Sequence, residues 1–159
     1  MEVTGTPEER IQMFLDFASK SDTNWQSRIS PYVKLLSVRA SGPHPSVTFS
    51  FIVDECHNNA SGNMHGGAVA TLFDWATSMP LALVCRPGHW SYMGVSRNLD
   101  VSYLRPAPVG TECLLEAEIV SVGRSMAMLR GTLRRKADGA ILATCSHDKV
   151  NTDPPVSKM

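Results

Sequence analysis

The sequence predicts an α+β fold, an antiparallel sheet of five or six strands wrapped around one long apolar helix, with an extra helix at the N-terminus. Three observations carry this expectation. A run of about twenty residues, 65–84, is dominated by Ala, Val, Leu, Phe, Trp and Met; it is too long for a strand and apolar nearly all round, as a core helix is. On either side of it lie segments whose apolar residues alternate with polar ones, the two-residue period of a strand with one wet face. With 159 residues, the chain can bury one core and has little room for a second. A sheet with one apolar face needs a partner, and a helix that is apolar all round supplies it.

In chain order, Thr6-Pro7-Glu8-Glu9 reads as a helix start. Thr6 can cap the Glu9 amide, Glu9 can reach back to Thr6, and Pro7 suits the first turn. Ile11, Phe14, Leu15 and Ala18 then share one face. A strand is expected over 33–39. Val47, Phe49, Phe51 and Val53 alternate with Thr48, Ser50 and Asp54, while Ile52 breaks the polar side. The central helix follows over 65–84. Asp74, Thr71, Thr77, Ser78 and Pro80 interrupt its apolar run and no basic flank pins it, which favours a buried helix over a bilayer span. Pro80 lacks the amide that would bond Ala76, so the regular helix should kink or end there. Noisier alternation over 95–103, 114–122, 126–133 and 141–147 predicts a meander, with Asp138-Gly139 as the hairpin turn of its last pair. The expected organisation is an N-terminal helix and connection over 1–30, the sheet-and-helix domain over 31–150, and a flexible polar tail over 151–159.

Fifteen Lys plus Arg balance fifteen Asp plus Glu, so no net field exists to hold nucleic acid or an acidic membrane surface. The four cysteines show no CxxC spacing, which points away from a zinc site or a redox pair and toward reduced thiols in an intracellular compartment. Nothing in the spacing of Cys56, His57 and His65 favours a metal, and no organic cofactor is expected either. Residues 1–10 carry three Glu and no apolar stretch, unlike a secretory signal or an Arg-rich transit peptide.

The chemistry concentrates in Asn59-Ala-Ser-Gly-Asn-Met-His65-Gly66-Gly67, leading into the helix that carries Asp74. Two glycines at a helix start let a substrate approach the backbone, and first-turn amides have no intrahelical acceptors, so a polarised carbonyl or oxyanion can sit there. Asp74 follows His65 by nine positions, which places it on the opposite helix face and about 13 Å along the axis. One chain does not easily join the two. If both serve one site, a second subunit must bring one of them across a two-fold interface.

The combination N-x5-HGG-x7-D, then Gly94-Val95-Ser96 and Tyr103-Leu104-Arg105-Pro106-Ala107, resembles the PaaI-like hotdog-fold acyl-CoA thioesterases over roughly residues 47–150. The resemblance implies a hotdog fold, a homodimer or homotetramer, and hydrolysis of an acyl-CoA thioester at the subunit interface. It implies that Asn59 and the Gly66 amide polarise the thioester carbonyl, with His65 holding their loop. Asp74 of the other subunit would then act on water as general base, or as nucleophile, and Ser96 would orient that water or Asp74. A carboxylate shielded by an apolar interface should have a raised pKa and be a better base. CoA carries several phosphates, so a neutral chain must meet them locally. The family's pattern implicates Arg124; Arg97 beside Ser96, Arg105 and the Arg134-Arg135-Lys136 cluster are further candidates, and Gly67 belongs to the substrate-facing backbone. Two alternatives stay open: a hotdog dehydratase or lyase acting on an acyl thioester, and a noncatalytic acyl-CoA binding module. The last residues, Ser157-Lys158-Met159, resemble a carboxyl-terminal peroxisomal address with Met in place of Leu, so a cytoplasmic or a peroxisomal location is expected.

Overall fold

Helix α2 (Gly66–Ser78) is the axis around which the chain is arranged. A computed structural model describes residues 5–20 and 23–154; the tripeptide Ser157-Lys158-Met159 lies outside them. Six strands, β1 (Val33–Arg39), β2 (Ser46–Ile52), β3 (Val95–Tyr103), β4 (Glu112–Val122), β5 (Met126–Arg135) and β6 (Ile141–Val150), form one sheet in the order β1-β2-β4-β5-β6-β3. Every neighbouring pair is antiparallel. This is the hotdog arrangement, the sheet curling around α2.

The inward residues of the strands, among them Val47, Phe49, Phe51, Leu115, Leu129 and Leu133, meet Leu72, Phe73 and Ala76 of α2 in one core. Contact is closest at Gly131 of β5, where a Cβ would lie 2.6 Å from Phe73 Cδ1 and 2.9 Å from Thr77 Cγ2. Only a residue without a side chain lets the helix down onto the sheet there. The helix ends as Pro80 requires. Regular α structure stops at Ser78, the Met79 amide takes the Ala76 carbonyl, and the chain continues as a 3-10 turn over Met79–Leu83. Trp75, Met79 and Met93 are core residues, whereas Met126 and Met128 are exposed on the outer face of the sheet.

Helix α1 (Pro7–Ser19) begins with the expected capping box between Thr6 and Glu9 and buries Ile11, Leu15 and Ala18. Three strands run longer than the alternation predicts: β4 begins at Glu112, β5 reaches Arg135 and β6 reaches Val150. In β6 the apolar pattern stops at His147 because the next inward residues are polar, His147 and Lys149, and both are buried. All four cysteines are free. No helix among the described residues is long and apolar enough to cross a membrane.

Candidate active site

The entrance to α2 is built as a small clamp. His65 is the N-cap, and its Nδ1 accepts the Gly67 amide at 2.9 Å. A ring nitrogen that accepts carries no proton, so in the neutral ring the proton sits on Nε2. Tyr103, the last residue of β3, donates its hydroxyl to the Gly66 carbonyl at 3.1 Å. The peptide unit joining Gly66 to Gly67 is therefore held at both ends, its N–H by His65 and its C=O by Tyr103. That fixes the direction of the preceding amide, Gly66 N–H, which as the first of the helix has no intrahelical acceptor. Gly67 is tightly overlain, a Cβ there lying 3.1 Å from His65 Nδ1, whereas a Cβ at Gly66 would rest in ordinary contact with the Tyr103 ring at 3.4 Å.

Asn59 stands beside this clamp. Its Oδ1 accepts the amides of Ser61 at 2.9 Å and Asn63 at 3.3 Å, which commits the oxygen to the loop and leaves Nδ2 as the donor for anything outside. The loop is fastened by Met64 N–H to Ala107 C=O at 2.8 Å. Asn59, Gly66, Tyr103 and Arg105 line a common cleft of about 500 Å³; Arg105 also donates to the Ile141 carbonyl at 2.7 Å. His65 and Gly67 open instead onto a cavity of about 700 Å³ beneath residues 23–29, where Trp25 is anchored by its indole N–H to Thr71 Oγ1 at 2.9 Å.

Asp74 lines neither space. Its Oδ1 accepts the Ser96 hydroxyl at 2.7 Å, and Ser96 Oγ lies 2.9 Å from His147 Nε2. His147 Nδ1 is 2.7 Å from Thr77 Oγ1, which donates to the Phe73 carbonyl at 2.6 Å. Counting protons along this chain is informative. Thr77 gives its only proton to Phe73 C=O, so Nδ1–H of His147 must donate to Thr77, and Nε2 of the neutral ring is then an acceptor. Ser96 has one proton for two acceptors, Asp74 Oδ1 and His147 Nε2. With Asp74 ionised the chain is one proton short, and one proton added at Asp74 satisfies every contact in it. Burial, reinforced by the nearby Lys149 ammonium, pushes His147 down to about 4 against the attraction of Asp74 and Asp148. The imidazole is accordingly neutral at ordinary pH.

The structure thus brings Asn59 to Gly66 and Asp74 to Ser96, but within one chain it does not join the two pairs in one space. Arg97 sits at a bulge of β3 between Ser96 and Asn98 and reaches Met126 Sδ at 3.4 Å. Arg124 is exposed in the β4–β5 turn, its carbonyl accepting from Asn151 at 3.0 Å. Register pairs Val95 and Met126 with the same residue, Val150, so both arginines lie toward one end of the sheet. The Arg134-Arg135-Lys136 cluster is engaged locally, Arg135 with Asp138 of its own turn at 2.9 Å and Lys136 with Glu112 at the start of β4 at 2.7 Å. His147 was not legible as a site residue. The available signal was an imidazole at an inward strand position, two residues after Cys145 and four after Ala143.

Comparison with known proteins gives a consistent result. The family model described as the thioesterase superfamily matches residues 61–142. Human acyl-coenzyme A thioesterase 13 is 35% identical over 97 residues, which are 61% of this chain and 66% of that protein, just under two thirds of its length. Among solved structures, zebra fish thioesterase superfamily member 2 superposes with a TM-score of 0.77 at 28% identity, over 92% of this chain and 99% of that one. A hypothetical thioesterase protein with coenzyme A from Streptococcus pneumoniae shares the fold, with a TM-score of 0.70 at 17% identity over 91% of this chain and 99% of that one.

Proposed function

Because this chain belongs to the thioesterase superfamily, we propose that it hydrolyses the thioester of an acyl-CoA to the free acid and CoA, at a site completed by a second copy of itself. The observation that carries the reading is the placement of both half-sites on one open edge. Strand β3 pairs with β6 on one side only. Ser96, which holds Asp74, stands near its start, and Tyr103, which holds Gly66, stands at its end. Two copies paired antiparallel through β3 about a two-fold axis at Leu99, the middle of Val95–Tyr103, set Ser96 of each opposite Ser102 of the other. Each Asp74–Ser96 pair then faces the Asn59–Gly66 cleft of its neighbour. The pairing also covers Val95 and Tyr103, which are 54% and 56% exposed in the single chain, and it satisfies the unpaired backbone of the edge.

In this arrangement the thioester oxygen accepts from Gly66 N–H and Asn59 Nδ2. Both donors are held in place beforehand, so they stabilise the oxyanion at little reorganisation cost. Asp74 takes a proton from a water as its oxygen bonds to the carbonyl carbon. Ser96 can then turn its own proton to His147 Nε2, because the proton now on Asp74 fills the contact it leaves. Collapse of the tetrahedral intermediate breaks the C–S bond, and the proton on Asp74 is available to the departing thiolate, a leaving group that needs no strong separate acid. Arg97 and Arg124 are the candidates for the CoA phosphates, since guanidinium groups bind phosphate in bidentate fashion. The acyl-CoA substrate class is supported by the name of the human relative.

The test is thiol release from a panel of acyl-CoA and aryl-CoA thioesters. Asp74→Asn is expected to keep the assembly and acyl-CoA binding while lowering kcat by at least about a hundredfold. Asn59→Ala is expected to lower kcat by a similar factor, about 3 kcal/mol of transition-state stabilisation. Binding without thiol release by the wild-type protein would replace the reading with that of an acyl-CoA binding module, and near-normal turnover of Asp74→Asn would remove Asp74 as base.

A further inference from the structure

Lys149 is a buried lysine, 6% exposed, whose register on β6 places it between Ser96 of β3 and Ala127 of β5. Its ammonium donates to Ser78 Oγ at 2.7 Å, and the Ser78 hydroxyl donates to the backbone carbonyl of Asp74 at 2.8 Å. His147 repeats this arrangement one helix position earlier, through Thr77 to the carbonyl of Phe73. Two basic side chains of β6 therefore hold the last turn of α2 by adjacent hydroxyls, and the two carbonyls they reach belong to Asp74 and its neighbour. Helix α2 has no basic residue in its own last turn, so Lys149 also supplies the cation that a helix C-terminus favours.

A buried ammonium is costly unless an opposite charge faces it. Among the described residues no carboxylate lies within ion-pair distance of Lys149, and the negative group that acts on it is Asp74. The other groups around it are accounted for. From β6 come neutral His147 and the thiol of Cys145, which burial pushes up to about 12. By register β5 presents Ala127 and Leu129, and β3 presents Ser96 and Leu99, none of them charged. Asp148 and Asp100 alternate onto the opposite face of the sheet.

We propose that Lys149 is a positioning residue for the reaction read above: its buried cation, tied through Ser78 to the Asp74 backbone and on the same inward face of β6 as His147, keeps the His147 ring neutral, so that its Nε2 stays an acceptor for Ser96 in the Asp74–Ser96–His147 chain. This rests on the thioesterase reading for its consequence, but not for its measurement. Burial lowers Lys149 while Asp74 pulls it back up, and Lys149 in turn helps to keep the proton off His147, which are the directions this assignment requires.

The experiment compares wild type, Lys149→Met and Lys149→Arg. The first readout is the titration of the His147 ring by NMR, which needs no turnover. Lys149→Met is expected to raise its midpoint by half a pH unit or more and Lys149→Arg to restore it; an unchanged midpoint overturns the proposal. The second is the acid limb of kcat/KM for acyl-CoA. It is expected to move to higher pH in Lys149→Met, by the same amount as the His147 midpoint, and to return in Lys149→Arg. A uniform loss at all pH values would show a merely structural role and overturn it. Should Lys149→Met fail to assemble, Lys149→Gln carries the same test, because it too removes the cation: a His147 midpoint no higher than in wild type overturns the proposal. Absence of thiol release by wild type would defeat the hydrolase reading alone, because the His147 titration still reports the charge relation.

Discussion

Acidification should destabilise this protein through His147, and the size of the effect follows from its surroundings. The ring is fully buried, hydrogen-bonded on both nitrogens, and held at about 4, whereas an unfolded histidine titrates near 6.5. Between those values the unfolded chain binds a proton that the folded chain refuses, so stability falls as pH drops. Integrated over that window, the loss is about 2 kcal/mol by pH 5 and approaches about 3 kcal/mol by pH 4, with almost none above pH 7. Urea unfolding midpoints at fixed protomer concentration, taken from pH 7.5 down to 4.5, measure it. Other groups titrate as well, so the quantity to compare is the slope in wild type and in His147→Gln, which has nothing to protonate. The variant is less stable at pH 7, because Thr77 and Ser96 lose a matched partner, about 1–3 kcal/mol, but its stability should be flatter below pH 6.5. Parallel loss of stability in the two proteins would refute the reasoning.

Tyr103→Phe removes one hydroxyl from the Gly66 carbonyl and leaves the ring in place. The expected result is a five- to tenfold fall in kcat, about 1 kcal/mol for one hydrogen bond, with KM for acyl-CoA unchanged; a change confined to KM would make Tyr103 a binding contact instead. Gly94 and Gly139 both have positive φ, +60° and +72°, but a Cβ at Gly94 would lie 2.3 Å from the Val150 carbonyl oxygen while one at Gly139 would meet nothing within 4 Å. Gly139→Ala should therefore cost about 1 kcal/mol, the left-handed backbone penalty alone, and Gly94→Ala about 3 kcal/mol or more. Equal shifts in thermal melting of the two variants would contradict this.

Much of the architecture could be read before any coordinates, because the determining interactions are local or periodic. The capping box of α1 needs only Thr6, Pro7 and Glu9 in order. The β2 alternation of Val47, Phe49 and Phe51 identifies its inner face without knowledge of what packs there. Pro80 stops α2 by lacking an amide, a covalent property. Nine positions between His65 and Asp74 were enough to show that one helix cannot present both to one small substrate. The end of β6 was missed because its last inward residues are polar: burial of His147 and Lys149 depends on partners from α2 that no strand pattern contains.

The sequence by itself determined the order and approximate positions of the helices and strands, the glycine-flanked helix tip and the two and a half turns that separate it from Asp74, since each depends on residues close together in the chain. Only the tertiary structure decided that β3 is an open edge carrying both Ser96 and Tyr103, that His147 and Lys149 lie beneath Asp74, and that Ser96 has one proton for two acceptors. Those relations join residues 22 to 75 positions apart, and the free energy that selects them comes from closing the sheet around α2, which buries side chains the linear order leaves far apart.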